Sequence, residues 1–225
     1  MTQLLLDIRP KALPTLTNFV PGRNHELLHT LRKMLFLQEK ERFLYVWGKS
    51  GCGKSHLLQA VVEYFMRKQY TAYYYPGEFD LAFQQNDTLR CVAVDDVERL
   101  DADAQIKLFN IYNELRDHGR ALLLVSGSSA PAQLDLRQDL VTRLGWGLVY
   151  QIHEITEEEK IEALQQQANE RGFELQETIC RYLLRHSQRD LPSLIVILDA
   201  LDRYSLTHKR QITIPLLKKL LQGMS

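Results

Sequence analysis

Gly48 to Ser55 reads GKSGCGKS, which meets the pattern G-x-x-x-x-G-K-[ST] at every required position. A loop of this kind turns its backbone N–H groups toward phosphate oxygens, and the helix that follows adds the positive end of its dipole. In that arrangement Lys54 reaches the β- and γ-phosphates and Ser55 gives a hydroxyl to Mg²⁺. Gly48, Gly51 and Gly53 permit the tight turn, Cys52 fills the loop, and His56 lies on its helical side. Phosphate binding is the chemistry that these residue types support.

An acidic pair complements the loop. Cys91-Val92-Ala93-Val94 is an apolar run ending in Asp95-Asp96. A carboxylate at the end of a buried strand beside a phosphate loop holds the hydration shell of Mg²⁺, the role assigned to Asp95, and Asp96 could orient or polarise a water. Asp96 is one methylene shorter than the glutamate that many ATPases of this architecture use. Arg143 lies on a short amphipathic segment, Leu136 to Leu144, just before Gly145-Trp146-Gly147. A guanidinium anchored there can offer planar donors to a neighbouring subunit's γ-phosphate, although a surface arginine taken alone is more often solvated or paired. The histidines share no metal-ligand spacing. At the start of the chain, Gln3, Leu6 and Ile8, with Leu4 beside them, form Q-x-x-L-x-[apolar], which as an extended peptide places an amide and apolar side chains in a partner's pocket. A frayed terminus or a strand docked on its own domain is the alternative.

The elements that must position these groups can be read around them. Phe43 to Trp47 is the apolar strand that enters the phosphate loop, and a helix runs from the loop to about Lys68. Further strands are expected at Tyr70 to Tyr75, Cys91 to Val94, Ala121 to Val125 and Leu148 to Ile152. Their apolar runs lack in–out alternation, as a parallel sheet covered on both faces requires. Asn24 should cap a helix with Leu27, Leu28, Leu31, Met34 and Leu35 on its buried stripe. Asp101 should cap another, with Ile106, Leu108, Phe109, Tyr112 and Leu115 inward and Gly119 as its stop. After Glu154 the pattern is purely helical. A capping box of Thr156 with Glu159 opens a helix to Gly172, a second spans about Gln176 to His186, a third starts near Asp190 with Pro192 in its first turn, and a short one follows Pro215. The expected divisions are a tail and linker over 1–14, an α/β nucleotide-binding domain over 15–154 and a helical domain over 155–225.

Composition bounds the rest. Of 225 residues 45% are apolar, enough for a substantial core, and 28 basic residues balance 28 acidic ones, so no global positive field draws the chain onto DNA or an anionic membrane. Cys52, Cys91 and Cys180 form no C-x-x-C pair, which fits reduced thiols in the cytoplasm, and no apolar run approaches membrane-spanning length.

Four blocks, Thr17-Asn18-Phe19-Val20-Pro21-Gly22, GKSGCGKSHLL, Val94-Asp95-Asp96 and Thr142-Arg143-Leu144-Gly145-Trp146-Gly147, occur in the order of the AAA+ domain of the bacterial replication initiator DnaA, which the chain resembles over nearly its whole length. The resemblance implies a P-loop AAA+ core with a five-stranded parallel sheet and a small all-helical lid. It implies ADP or ATP with Mg²⁺ as ligands, Asn18, Phe19 and Val20 lining the adenine pocket, and Arg143 as an arginine finger acting in trans. A lone module with a Q-L-rich tail and no helix-turn-helix domain is similar to the DnaA-related proteins of regulatory inactivation. In them the tail binds the replicative sliding clamp, so DnaA, the clamp and, through it, DNA become the implied partners; a homo-oligomer stays open and a membrane is not implied. Pro192 stands where the family's lid carries a sensor arginine, with Arg189 one turn earlier as its substitute, and Ser128 stands where the initiator's other sensor has an aspartate. Both departures imply weak turnover of the chain's own nucleotide. The competing readings are a helicase or clamp-loader ATPase and a DNA-binding replication regulator.

Overall fold

The computed structural model describes residues 13–36, 38–77, 86–186, 191–208 and 213–222, so Gln3, Leu4, Leu6, Ile8 and Arg189 lie outside the described residues. Five strands form one parallel sheet: β1 (Phe43–Trp47), β2 (Thr71–Tyr75), β3 (Leu89–Val94), β4 (Leu122–Gly127) and β5 (Leu148–Gln151). Their order across the sheet is β2-β3-β4-β1-β5. The register pairs Leu44 with Leu124 and Leu148, and Ala93 with Leu124. Every connection is therefore a crossover, and the helices α1 (His25–Leu35), α2 (Lys54–Arg67), α3 (Ala102–His118) and α4 (Gln138–Leu144) cover the two faces.

The apolar strands split their side chains between two cores. Leu44, Val46, Cys91, Ala93, Leu122 and Leu124 pack with α1 and α2, while Tyr45, Val92, Val94, Leu123 and Val125 pack with α3 and α4. Continuous apolar runs are the consequence of burial on both faces. The edge strand β5 departs from that expectation: Leu148 and Tyr150 turn toward the first core, whereas Val149 and Gln151 are exposed, because no neighbour covers its other face.

Asp101 caps α3 through a bond from the Ala104 N–H at 2.8 Å, and Gly119 ends it in the left-handed conformation. The inward stripe is Ala104, Leu108, Ile111, Tyr112 and Leu115; Ile106, expected inside, is 40% exposed. Residue 106 stands about 200° around the helix from Leu108 at 3.6 residues per turn, on the opposite side, whereas Ile111 falls on the stripe. Asn24 precedes α1 but makes no side-chain cap. Its buried amide instead pairs with the backbone of His153, Nδ2 donating to the carbonyl at 2.9 Å and Oδ1 accepting from the N–H at 2.8 Å. The expected cap is thus a clamp on the chain just after β5.

The chain divides into two compact units, one over Leu13–Glu154 and one from Ile155 onward. The second holds α5 (Glu157–Glu170), α6 (Glu177–His186), α7 (Leu191–His208) and α8 (Ile214–Gln222) around Leu164, Cys180, Leu183, Leu194, Leu198 and Leu217. Thr156 and Glu159 form the full capping box that starts α5. Pro192 and Pro215 both sit inside the first turns of α7 and α8, where a missing N–H costs nothing. No described helix is long and apolar enough to cross a membrane.

Candidate nucleotide site

The carboxyl ends of β1, β3 and β4 lie side by side, and each delivers one part of a site: the glycine loop after β1, Asp95-Asp96 after β3 and Ser126 on β4. Gly53 precedes α2 at φ 106°, with no side-chain cap on the helix and no acidic residue in its first turn. The first N–H groups of α2 are thereby left for an anion. A Cβ at Gly53 would come 2.9 Å from the Phe19 ring, and one at Gly48 would come 2.6 Å from the Ile152 carbonyl, so these two positions are packed too closely for a side chain. Lys54 is buried, and its Nζ donates to the carbonyls of Gly48 at 2.9 Å and Lys49 at 3.3 Å. Its ammonium is thus tethered inside the curve of the loop. Cys52 is buried as filler, with its thiol pushed up chiefly by burial, and Ser55 is exposed at the start of α2.

The segment before α1 closes over the loop. Phe19 is buried against Gly53 and meets the His56 ring edge-on at 5.6 Å, and His56 Nε2 donates to the Thr15 carbonyl at 3.1 Å. Asn18 spends its amide on its own turn, accepting from Thr15 N–H at 2.8 Å and donating to the Leu13 carbonyl at 3.1 Å. Phe19 and His56 therefore stand at the loop through contacts, Asn18 shapes the segment that carries them, and Val20 is half-buried beside it.

Asp95 is buried with both oxygens engaged: Oδ2 accepts from the Tyr74 hydroxyl at 2.7 Å and Oδ1 accepts a short bond from the Ser126 hydroxyl. The Ser126 oxygen in turn accepts from the Asp96 N–H at 3.0 Å. Burial first, then the bond to Asp95, pushes the Tyr74 phenol up to about 12, so it keeps its proton and donates. Asp96 adopts left-handed backbone at φ 49°, and its carboxyl is raised by burial, then by Asp95 and Glu98, against the pull of Lys54. Among the described residues no three His, Cys, Asp or Glu side chains gather to hold a metal. Magnesium fits this donor set as it does in phosphate sites generally, through one hydroxyl, one carboxylate, phosphate oxygens and water.

Arg143 stands elsewhere. Its guanidinium carbon lies 4.0 Å from the Trp146 ring centroid, 5.5 Å from Phe109 and 5.7 Å from Tyr112, and its Nε is buried without a hydrogen-bond partner. With Leu144 it lines a small cavity against Phe43 and Leu44, the beginning of β1, whereas the phosphate loop follows the end of that strand. At 3.3 Å per residue the separation along β1 is roughly 13–17 Å. Trp146 remains 58% exposed over the guanidinium. The sequence had pointed to Arg143 but not to its aromatic holder, nor to Tyr74 and Ser126; an aromatic strand and a small polar strand end carry no local mark of such roles.

A family model described as the Hda lid domain matches residues 157–221. The fold is similar to domain III of the replication initiation protein DnaA from Thermotoga maritima, 22% identical over 96% of this chain and 97% of that one, with a TM-score of 0.68. It is also similar to AMPPCP-bound DnaA from Aquifex aeolicus, 21% identical over 90% of this chain and 71% of that one, TM-score 0.67. A RuvB mutant from Thermotoga maritima, 17% identical over 95% of this chain and 73% of that one, has a TM-score of 0.64.

Proposed function

We propose that the chain, whose residues 157–221 match the Hda lid-domain model and whose fold is similar to domain III of DnaA, is a regulator of replication initiation that binds adenine nucleotide and acts on a related AAA+ initiator. It docks on the DNA-loaded sliding clamp through Gln3, Leu4, Leu6 and Ile8 and promotes hydrolysis of the ATP held by DnaA, leaving the initiator in its ADP form. In its own site, Gly48, Gly51, Gly53 and Lys54 receive the phosphates, Ser55 and Asp95 serve the magnesium side, and Phe19 and His56 close the adenine side. Bound Mg²⁺ would neutralise phosphate charge; Lys54 and the α2 N–H groups supply the rest.

The observation that carries this reading is the setting of Arg143. Among the described residues it has no carboxylate partner, its planar group is held by Trp146, Phe109 and Tyr112, and it sits a strand's length from its own phosphate loop. A guanidinium so placed is prepared for a phosphate on another subunit. The test follows labelled ATP preloaded on DnaA, with the chain, the clamp and DNA each omitted in turn. The reading requires hydrolysis to rise only when all are present; a rise without the clamp, or none at all, contradicts it.

A further inference from the structure

The strand ends contain a relay that the nucleotide-site residues alone do not account for. Tyr74, at the end of β2, donates to Asp95 Oδ2 at 2.7 Å, while Ser126, on β4, donates to Asp95 Oδ1 and accepts from Asp96 N–H at 3.0 Å. Three adjacent strands thus fix one buried carboxylate from both sides. Tyr74 therefore holds, from the neighbouring strand, the aspartate that is assigned to the magnesium side. Its ring packs against the core shared by α1 and α2, which fixes the position of the hydroxyl.

We propose that Tyr74 is a positioning residue for the metal side of the nucleotide site: its hydroxyl, bonded to Asp95, sets the orientation of that carboxylate toward Mg²⁺. The inference rests on the reading of the loop as a nucleotide site. A carboxylate accepts up to four hydrogen bonds, so the donations from Tyr74 and Ser126 leave Asp95 two acceptor positions and direct them. A rotating carboxylate would have to be ordered when metal binds, at an entropic cost that the two hydroxyls remove in advance.

Tyr74→Phe keeps the ring in its core and deletes only the donor. Fluorescent adenine nucleotide is titrated into the wild-type chain and the variant, once with excess Mg²⁺ and once with a chelator, and the ratio of the two affinities is the gain due to magnesium. The chelator affinity should stay within about twofold while the magnesium gain falls about tenfold, the lower end of losses from removing outer-shell partners. Ser126→Ala, which removes the donor on the other oxygen, should reduce the same gain, and thermal melting of both variants checks the fold. An unchanged or enlarged magnesium gain in Tyr74→Phe overturns the inference, as does an equal loss with chelator, which would mark simple damage to the pocket. Failure of the wild-type chain to bind nucleotide would overturn the reading of the loop along with it.

Discussion

Replacing Lys54 with Met retains the buried stem of the side chain and removes only the ammonium. The Nζ carries three donors, of which two reach the carbonyls of Gly48 and Lys49 at 2.9 and 3.3 Å. The Lys49 carbonyl lies in the exposed part of the loop, where water can replace the lost bond, but the Gly48 carbonyl is buried, so the fold should lose about 1–3 kcal/mol. At least one charged bond to phosphate is removed, at about 1.5–3 kcal/mol. That loss corresponds to roughly a 10- to 150-fold weaker Kd for ADP. The assay is calorimetry in Mg²⁺ buffer, paired with thermal melting. Nucleotide at a hundred times Kd stabilises the wild-type chain by about 2.7 kcal/mol, which raises the Tm by roughly 5–10 °C for a chain of this size. At the same concentration a variant weakened about a hundredfold should shift by roughly 1 °C. Equal affinities and equal shifts would refute the placement of phosphate at this loop.

Other outcomes follow from the same structure. Asn24→Ala removes both bonds to the partly buried His153 backbone and empties a buried side-chain position, so denaturant unfolding should report a loss of about 1–3 kcal/mol. Cys91 and Cys180 are fully buried and Cys52 nearly so, with every thiol pushed up by burial, so a thiol reagent at neutral pH should label none rapidly in the native protein and all after denaturation. Rapid labelling of Cys52 would show the loop to be open. Removal of residues 1–8 should abolish clamp binding in surface plasmon resonance and leave nucleotide affinity unchanged; retained clamp binding would assign that contact elsewhere.

The parts of the fold written in local pattern were legible. The glycine loop, the apolar runs of β1, β3 and β4, the Asp101 cap and the Thr156–Glu159 box each depend on residues a few positions apart. What the sequence concealed depends on distant partners. Asn24 has the residue type and place of a cap, yet its partner is 129 positions away, and two tertiary bonds win over one local one. β5 alternates because only one of its faces is covered, which depends on packing that no local pattern reveals. Tyr74 sits among Tyr73 and Tyr75 in an aromatic strand, and nothing local distinguishes the ring that reaches Asp95. Arg143 was singled out by the resemblance of Thr142 to Gly147 to the initiator's block, while its cage of Phe109, Tyr112 and Trp146, which joins α3, α4 and the turn before β5, left no local mark.

The central claim is that Arg143 acts on nucleotide held by the initiator, and a single-turnover assay reaches it most directly. DnaA preloaded with labelled ATP is mixed with clamp on DNA and with the wild-type chain, Arg143→Ala or Arg143→Lys. Partner-supplied arginine fingers accelerate hydrolysis by roughly 10³–10⁵-fold in GTPase systems, an outer bound for this case. Arg143→Ala should keep its fold, its own nucleotide affinity and its clamp binding but lose the stimulation, and Arg143→Lys should restore little, since an ammonium lacks the planar fork that Trp146 stacks upon. Full stimulation by Arg143→Ala would contradict the account and place the finger on another residue.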